Sequence, residues 1–231
     1  MRGQDLDLIL HSPGGSPEAA EAIVNYIRSK FQHVRVIVAM SAATMVACSG
    51  NVIVMGKHSS LGPIDPQLVL QTSIGIQMVP AQAILDQFEQ AKRECADPAK
   101  LAAWMPMLGQ YGPHLLVFCQ NALKMAQELV RDWLKAYMFI GDPDKTVKAR
   151  KLARWLADHG KFKSHGRHIS RETAREKGLI VENLEDDQVS QDLFLSVFHA
   201  TTHTFDRTTA VKIIENHAGK AYIKQFQMVA R

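Results

Sequence analysis

The sequence predicts an α/β fold, and two patterns in its first 60 residues carry that prediction. Short apolar runs of strand length alternate there with helical patterns, in the order strand, helix, strand, helix, strand. The second strand, "VRVIVA" (34–39), is apolar on both faces, which is typical of a strand buried in a parallel sheet. This order implies parallel strands joined by right-handed crossovers. We therefore expect a parallel sheet covered by helices.

The first strand and the first helix have clear boundary signals. "DLDLIL" (5–10) is predicted to be the strand. Ser16 is a favoured N-cap residue, Pro17 suits the first helical position, and Glu18 places a negative charge in the first turn. The helix that follows is expected to end near Phe31.

The next elements complete the alternating pattern. Residues 41–50 carry small side chains at most positions and predict a helix packed close to its neighbours. A third strand is expected at 51–56, since it is apolar and flanked by glycine. Two prolines, a glycine and little periodicity predict a loop at 57–67, with a short strand near 74–79.

From Pro80 onward, mainly helical patterns are expected. Gly160 is predicted to close one helix as its C-cap, and Ser170 precedes a short capped helix. The end of the chain favours two strands around an Asn-His-Ala-Gly turn. The longer helical patterns cover residues 81–95, 114–139, 144–160 and roughly 188–202.

The chain is predicted to form a single domain over residues 1–231. Its 46% hydrophobic and 22% charged residues are ordinary for a globular protein, and no linker, repeat or low-complexity stretch divides it. Within that domain we expect a sheet core at 1–80, a helical layer at 81–160 and a C-terminal part at 161–231.

Charge, cysteines and hydropathy exclude several classes. The net charge of +4 is mild. Basic residues cluster at 145–154 and 161–175, and histidines and an acid are mixed into the second cluster, so a solvated face is favoured over a nucleic-acid site. Cys48, Cys95 and Cys119 are widely spaced, which fits free thiols in a reducing, cytoplasmic compartment. No apolar run reaches the roughly 20 residues that a membrane span requires. Membrane association through a partner stays an open alternative.

No cofactor or metal site is expected. His199 and His203 have the four-residue spacing of metal ligands, but a pair that packs or caps at a helix end is the favoured interpretation. The glycines at 14 and 15 match neither of the common nucleotide-binding patterns.

Two motifs are predicted to meet at the carboxyl edge of the sheet, where ligands of open parallel sheets bind. "SPGG" (12–15) follows the first strand, and "AMSAAT" (39–44) follows the second. Ser41 alone is explained as an N-cap. Beside the glycines it becomes a candidate nucleophile, because such a serine needs backbone N–H donors for the developing oxyanion.

The chain resembles the Clp protease/crotonase superfamily and, within it, the serine dehydrogenase proteinase family, which is related to signal peptide peptidase A. The segments that carry the resemblance are 6–67 and 164–184. It implies a stack of strand–strand–helix units with an added helical layer. It also implies serine endopeptidase activity on a peptide or protein substrate, and assembly into a homo-oligomer.

The resemblance also assigns residues. It places the nucleophile at Ser41 and the oxyanion donors at the N–H groups of Gly14 and Ala42. Gly15 completes the turn and, with Ser16, is expected to lie beside the substrate. The superfamily usually has strands before the glycine motif, so we expect this chain to be a shortened form.

The general base is left open by the sequence. Relatives of the Clp type use a histidine and an aspartate, while signal peptide peptidases use a lysine. Here Asp65 lies where the Clp histidine is expected and His165 lies near the position of the aspartate, so the two are predicted to have exchanged places. Lys92 and Lys57 are the alternative bases, and the absence of a competent base is a third option.

Two rival functions follow from the same features. A crotonase-like acyl-CoA enzyme would use the same oxyanion hole on a thioester, but Glu18 is the only acid close to the glycines. A catalytically silent assembly module would keep the fold for oligomerisation alone. The favoured interpretation is a serine peptidase.

Overall fold

The computed structural model describes residues 4–12, 14–38, 44–72 and 75–226. The chain forms two compact units, Met1–Asn183 and Leu184–Arg231. The boundary between them lies inside the C-terminal part, 161–231, of the predicted single domain.

A parallel sheet organises the first unit, as the sequence predicts. Its described strands are β1 (Gln4–Leu10), β2 (Phe31–Val38), β3 (Val52–Met55) and β6 (Val181–Asn183), and they lie in the order β1, β2, β3, β6. One row across the sheet pairs Leu8 with Val36, Val36 with Ile53, and Ile53 with Val181. The fold is therefore α/β with parallel pairing, and the stacking of strand–strand–helix units stays a prediction.

The core lies around the two central strands. All four residues of β3 are buried, and so are the last three of β2. This burial explains their unbroken apolar sequence, because a strand covered on both faces has no polar side to alternate with. The carboxyl ends of both strands therefore lie at one edge of the buried core.

The helices of the first unit begin where their caps predict. The side chain of Ser16 accepts a hydrogen bond from the N–H of Ala19 at 3.2 Å, and Ser170 accepts one from Thr173 at 3.2 Å. Both predicted N-caps are confirmed. The helices are α1 (Pro17–Lys30), α2 (Thr44–Ala47), α3 (Ala81–Glu94), α4 (Pro98–Leu108), α5 (Leu115–Trp133), α6 (Lys145–Leu156), α7 (His159–Phe162) and α8 (Arg171–Lys177).

The predicted C-cap at Gly160 is wrong. Helix α6 ends four residues earlier, and Gly160 lies inside the short helix α7. The reason is Asp158, whose carboxylate accepts a hydrogen bond from the N–H of Lys161 at 3.0 Å and so starts a new turn. The long helical pattern at 114–139 is continuous, but after α5 it widens into a π-helical turn at Leu134–Met138.

A hairpin replaces part of the predicted loop. Strands β4 (Gln67–Thr72) and β5 (Gly75–Pro80) pair antiparallel, whereas the sequence predicts a single strand near 74–79. Leu68, Leu70 and Val79 cover a small cluster built on α3 and α5. Strand β4 is therefore stabilised by burial of one of its faces, which the local sequence pattern does not predict.

The second unit holds a helix and a hairpin. A 3-10 turn at Leu184–Asp186 leads into α9 (Gln188–Arg207), which runs five residues beyond its predicted end. Strands β7 (Ala210–Glu215) and β8 (Ala221–Gln225) pair antiparallel around the predicted turn.

Arg28, which the sequence analysis did not select, joins α1 to the segment before β3. Its Nε donates to the carbonyl of Ser49 at 3.0 Å, and its Nη1 donates to Asn51 Oδ1 at 2.9 Å. The guanidinium lies 3.9 Å from the ring centre of Tyr137. Burial lowers the pKa of Arg28 to about 10, so the side chain remains charged at neutral pH. It satisfies the carbonyl group of Ser49, two residues beyond the end of α2.

We predict that Gly50→Ala destabilises the protein by about 1–3 kcal/mol, the usual cost of overpacking. A Cβ on Gly50 would lie 2.9 Å from Val36 Cγ2 and 3.0 Å from the carbonyl oxygen of Val52, at the core strands. The matched control is Gly112→Ala, where a Cβ meets nothing within 4 Å. Denaturant unfolding of both variants checks this, and equal midpoints would contradict it.

Candidate active site

The site is built on the loop that follows β3, residues 57–66. Its backbone pairs with the segment before α8, since Leu61 and Ile169 exchange two hydrogen bonds of 3.0 and 2.8 Å. Further along, the N–H of Ile64 donates to the carbonyl of Leu156 at 3.0 Å. Leu61, Ile64 and Ile169 are buried in the main core. A loop with two prolines is thereby held in one conformation.

Asp65 lies in this loop with its side chain 1% exposed, and it meets His165. The distance from Asp65 Oδ1 to His165 Nδ1 is 2.7 Å. A carboxylate only accepts hydrogen bonds, so Nδ1 carries the proton and Nε2 of the neutral ring keeps its lone pair. The structure therefore brings together the two residues that the sequence analysis paired across 100 positions.

His165 is placed to exchange protons with solvent or a ligand. Its side chain is 39% exposed, in contrast to the buried carboxylate behind it. Among the described residues, its ring makes one hydrogen bond, the one to Asp65. The pKa of His165 is raised, chiefly by that hydrogen bond, and burial opposes the rise.

Two further side chains hold the other oxygen of Asp65. His159 Nδ1 lies 3.1 Å from Asp65 Oδ2, and Gln67 Nε2 lies 3.3 Å from the same atom. The sequence analysis missed both residues. His159 is the first residue of α7, a helix that starts at the Asp158 cap. The sequence predicts a single helix over 144–160, and that prediction does not bring His159 near Asp65.

The loop is also attached to the chain on both sides of residues 39–43. Ser59 Oγ donates a short hydrogen bond to the carbonyl of Val38, the last residue of β2. The N–H of Gly62 donates to Thr44 Oγ1 at 2.8 Å, at the first residue of α2. Ser41 and Ala42 themselves lie outside the described residues. Their two flanks are nevertheless fixed to the loop that carries Asp65.

A serine–histidine contact adds to the attachment of the loop at 57–66. Ser60 Oγ and His168 Nδ1 are 2.7 Å apart, and Ser60 is buried. The pair links residues 57–66 to the segment that holds His165. It adds a side-chain contact to the backbone pairing of Leu61 with Ile169.

The glycine motif lies at the same edge of the sheet. The last residue of β1, Leu10, pairs with Val38, so both strands end side by side. Gly14 has φ of +120°, a conformation that side chains rarely allow, and its N–H donates to Ser12 Oγ at 3.1 Å. Gly15 is exposed with open space around its Cα.

Ser16, which the sequence analysis also assigned to substrate binding, uses its hydroxyl to cap α1. This oxygen accepts the N–H of Ala19.

The two lysine alternatives lie on the surface. Lys92 is exposed on α3, and its ammonium is 3.0 Å from the carboxylate of Glu89. Lys57 is exposed in the loop after β3. A lysine base must be desolvated to be neutral near pH 7, and a carboxylate partner favours its charged form instead. The geometry thus favours His165 over either lysine.

The described part of the chain holds neither a cluster of metal ligands nor a membrane-spanning helix. No group of three or more histidine, cysteine, aspartate or glutamate side chains there is arranged to hold a metal ion. No helix among these residues has both the length and the apolar character needed to cross a bilayer.

The fold and the site together define an α/β protein with a buried carboxylate–imidazole pair beside the carboxyl edge of a parallel sheet. This is the region where such sheets bind ligands. Comparison with known families is more specific. Residues 2–196 match the model of the ClpP-like SDH-type serine proteinases, and the chain belongs to this family.

Curated relatives come from one archaeon, Methanocaldococcus jannaschii. The uncharacterized protein MJ0137 is 30% identical over 191 residues, covering 81% of this chain and 57% of the relative. The uncharacterized protein MJ1495 is 28% identical over 159 residues, covering 67% and 47%. The chain thus spans about half the length of these relatives. No solved structure matches it at a significant level.

We predict that His165 titrates above the ordinary histidine pKa of about 6.5. Asp65→Asn should lower its midpoint, because an amide cannot stabilise the imidazolium as a carboxylate does. Histidine NMR titration of both proteins measures this. Since the folded-state pKa is raised, the pair's contribution to stability is complete below the unfolded value and is lost as pH rises through the folded one. Equal midpoints in the two folded proteins would contradict the prediction.

Proposed function

We propose that this protein is a serine endopeptidase with Ser41 as nucleophile and His165 as general base. Asp65 orients the imidazole and stabilises its protonated form. The roles are those of the serine–histidine–aspartate triad in a different chain order, which geometry permits. Membership of a serine proteinase family supports the reaction class.

One observation carries the assignment of the base. The loop that holds Asp65 is hydrogen-bonded to Val38 and to Thr44, the described residues on either side of segment 39–43. In this proposal Ser41, the central residue of segment 39–43, presents its hydroxyl to the His165–Asp65 pair.

The reaction follows from these roles. Nε2 of His165 takes the proton of Ser41 Oγ as that oxygen attacks the carbonyl carbon of the scissile peptide bond. The imidazolium then gives its proton to the leaving amine, and an acyl-enzyme remains. Water, deprotonated by the same imidazole, attacks the ester carbonyl and releases the acid and the free serine.

The oxyanion is assigned to the N–H groups of Gly14 and Ala42. Gly14 is supported by its position after β1, beside the end of β2, and by a φ that glycine tolerates. Gly15 and Ser16 would flank the substrate backbone, with Ser16 acting through its capped turn. No cofactor is needed for this chemistry, because the attacking and proton-carrying groups are side chains of the protein.

We further propose a peptide or protein substrate and assembly into a homo-oligomer, as family membership suggests. A cytoplasmic location, with membrane association through a partner, completes the proposal. The proposed substrate, assembly and location all depend on the proposed peptidase reaction.

We expect a fluorophosphonate probe to label the protein covalently and Ser41→Ala to abolish labelling by at least about 100-fold, since the nucleophile is removed. Ser29→Ala is the matched control, because Ser29 is an exposed serine on α1. Intact mass spectrometry and gel fluorescence measure the adduct. Undiminished labelling of Ser41→Ala would overturn the nucleophile, and a folded but unlabelled wild-type protein would favour an assembly module.

Gly14→Ala should slow labelling about 10-fold or more, while Gly15→Ala should change it little. A Cβ would meet nothing within 4 Å at either position, so neither alanine causes a steric clash. Only Gly14 has φ of +120°, and an alanine would turn its N–H away to relieve strain. Comparable second-order labelling rates for the two variants would argue against Gly14 as an oxyanion donor.

A further inference from the structure

We propose that His159 is a positioning residue for His165 and acts through the shared carboxylate of Asp65. This inference rests on the proposed function. The two imidazoles approach different oxygens of one buried carboxylate, His165 at Oδ1 and His159 at Oδ2, with distances of 2.7 and 3.1 Å.

The two histidines have different surroundings. The side chain of His159 is 14% exposed, whereas that of His165 is 39% exposed. Both rings turn Nδ1 toward Asp65, and a carboxylate accepts from both. The exposed ring is therefore available for proton transfer, and the inner ring supplies a hydrogen bond.

The carboxylate needs this second donor. A buried ionised group is stable only when its lone pairs are satisfied, and the other donor to Asp65 Oδ2 among the described residues is Gln67 Nε2, at 3.3 Å. A carboxylate held at both oxygens cannot rotate about its Cβ–Cγ bond. Oδ1 then stays aimed at His165 Nδ1, which keeps the proton on that nitrogen and the lone pair on Nε2.

His159 is itself held by the start of α7. The carboxylate of Asp158 accepts from the N–H of Lys161, and the carbonyl of His159 accepts from Lys163 at 2.7 Å. Lys163 closes the turn with φ of +60°. The short helix therefore presents the imidazole from a capped, closed turn, as a supporting group requires.

The experiment compares three variants at this position in the full chain. His159→Leu removes the donor, and His159→Asn keeps an N–H close to the place of Nδ1. His159→Gln keeps polarity but moves the N–H further from the backbone. His203→Leu, at an exposed position on α9, controls for the loss of an imidazole. Thermal unfolding identifies the variants that fold.

Two measurements are made. Nitrogen-15 NMR reports which ring nitrogen of neutral His165 carries the proton, whether or not the protein is active. We expect a mixture of tautomers in His159→Leu and the wild-type Nδ1–H form in His159→Asn. Fluorophosphonate labelling should slow about 10- to 100-fold in His159→Leu and recover in His159→Asn, by analogy with the loss seen when a group that orients a metal-ligating histidine is removed.

The outcomes are distinguishable. If wild-type protein is unlabelled but the His165 tautomer responds to His159→Leu, the proposed function fails and the positioning role stands. If labelling works and neither the tautomer nor the rate changes in the folded His159→Leu protein, the positioning role is overturned. Should His159→Leu not fold, the same comparison is made between His159→Asn and His159→Gln, and equal tautomers and rates in those two would overturn it.

Discussion

The buried carboxylate of Asp65 is the constraint on which the arrangement of the site depends. An ionised group that is 1% exposed must be matched by hydrogen-bond donors, and here they come from three separate places in the chain. His165 lies before α8, His159 opens α7, and Gln67 begins β4. Satisfying one charge therefore fixes where three structural elements lie relative to the loop after β3.

The loop after β3 (57–66) also connects Asp65 to the edge of the sheet. It is paired with Ile169 on one side and hydrogen-bonded to Val38 and Thr44 on the other. Residues of β2 and β3 are packed in the core, so the loop is attached to buried strands. The Asp65–His165 pair, for which we propose a role in proton transfer, thus lies in loops that are attached to the core, and a catalytic pair requires positioning to within about 0.5 Å.

Sequence reasoning succeeds where local chemistry decides the structure. Ser16 and Ser170 start helices because their hydroxyls satisfy free N–H groups, and the unbroken apolar run of β3 follows from its burial. It fails where partners are distant in sequence. His159 carries no local pattern, Gly160 resembles a helix end, and β4 is stabilised by a cluster on α3 and α5. The pairing of Asp65 with His165 was reached through family resemblance, since no periodicity connects residues 100 positions apart.

The glycine turn shows how the proposed chemistry would use a contact already present. The N–H of Gly14 donates to Ser12 Oγ at 3.1 Å, a neutral acceptor two residues away on an exposed turn. A tetrahedral intermediate would offer a charged oxygen instead, and hydrogen bonds to charged acceptors are roughly twice as strong as those to neutral ones. A neutral carbonyl substrate gains little by replacing the hydroxyl, while the oxyanion gains much. The exchange of one acceptor for the other would therefore favour the transition state over the bound substrate, which is the difference that lowers a barrier.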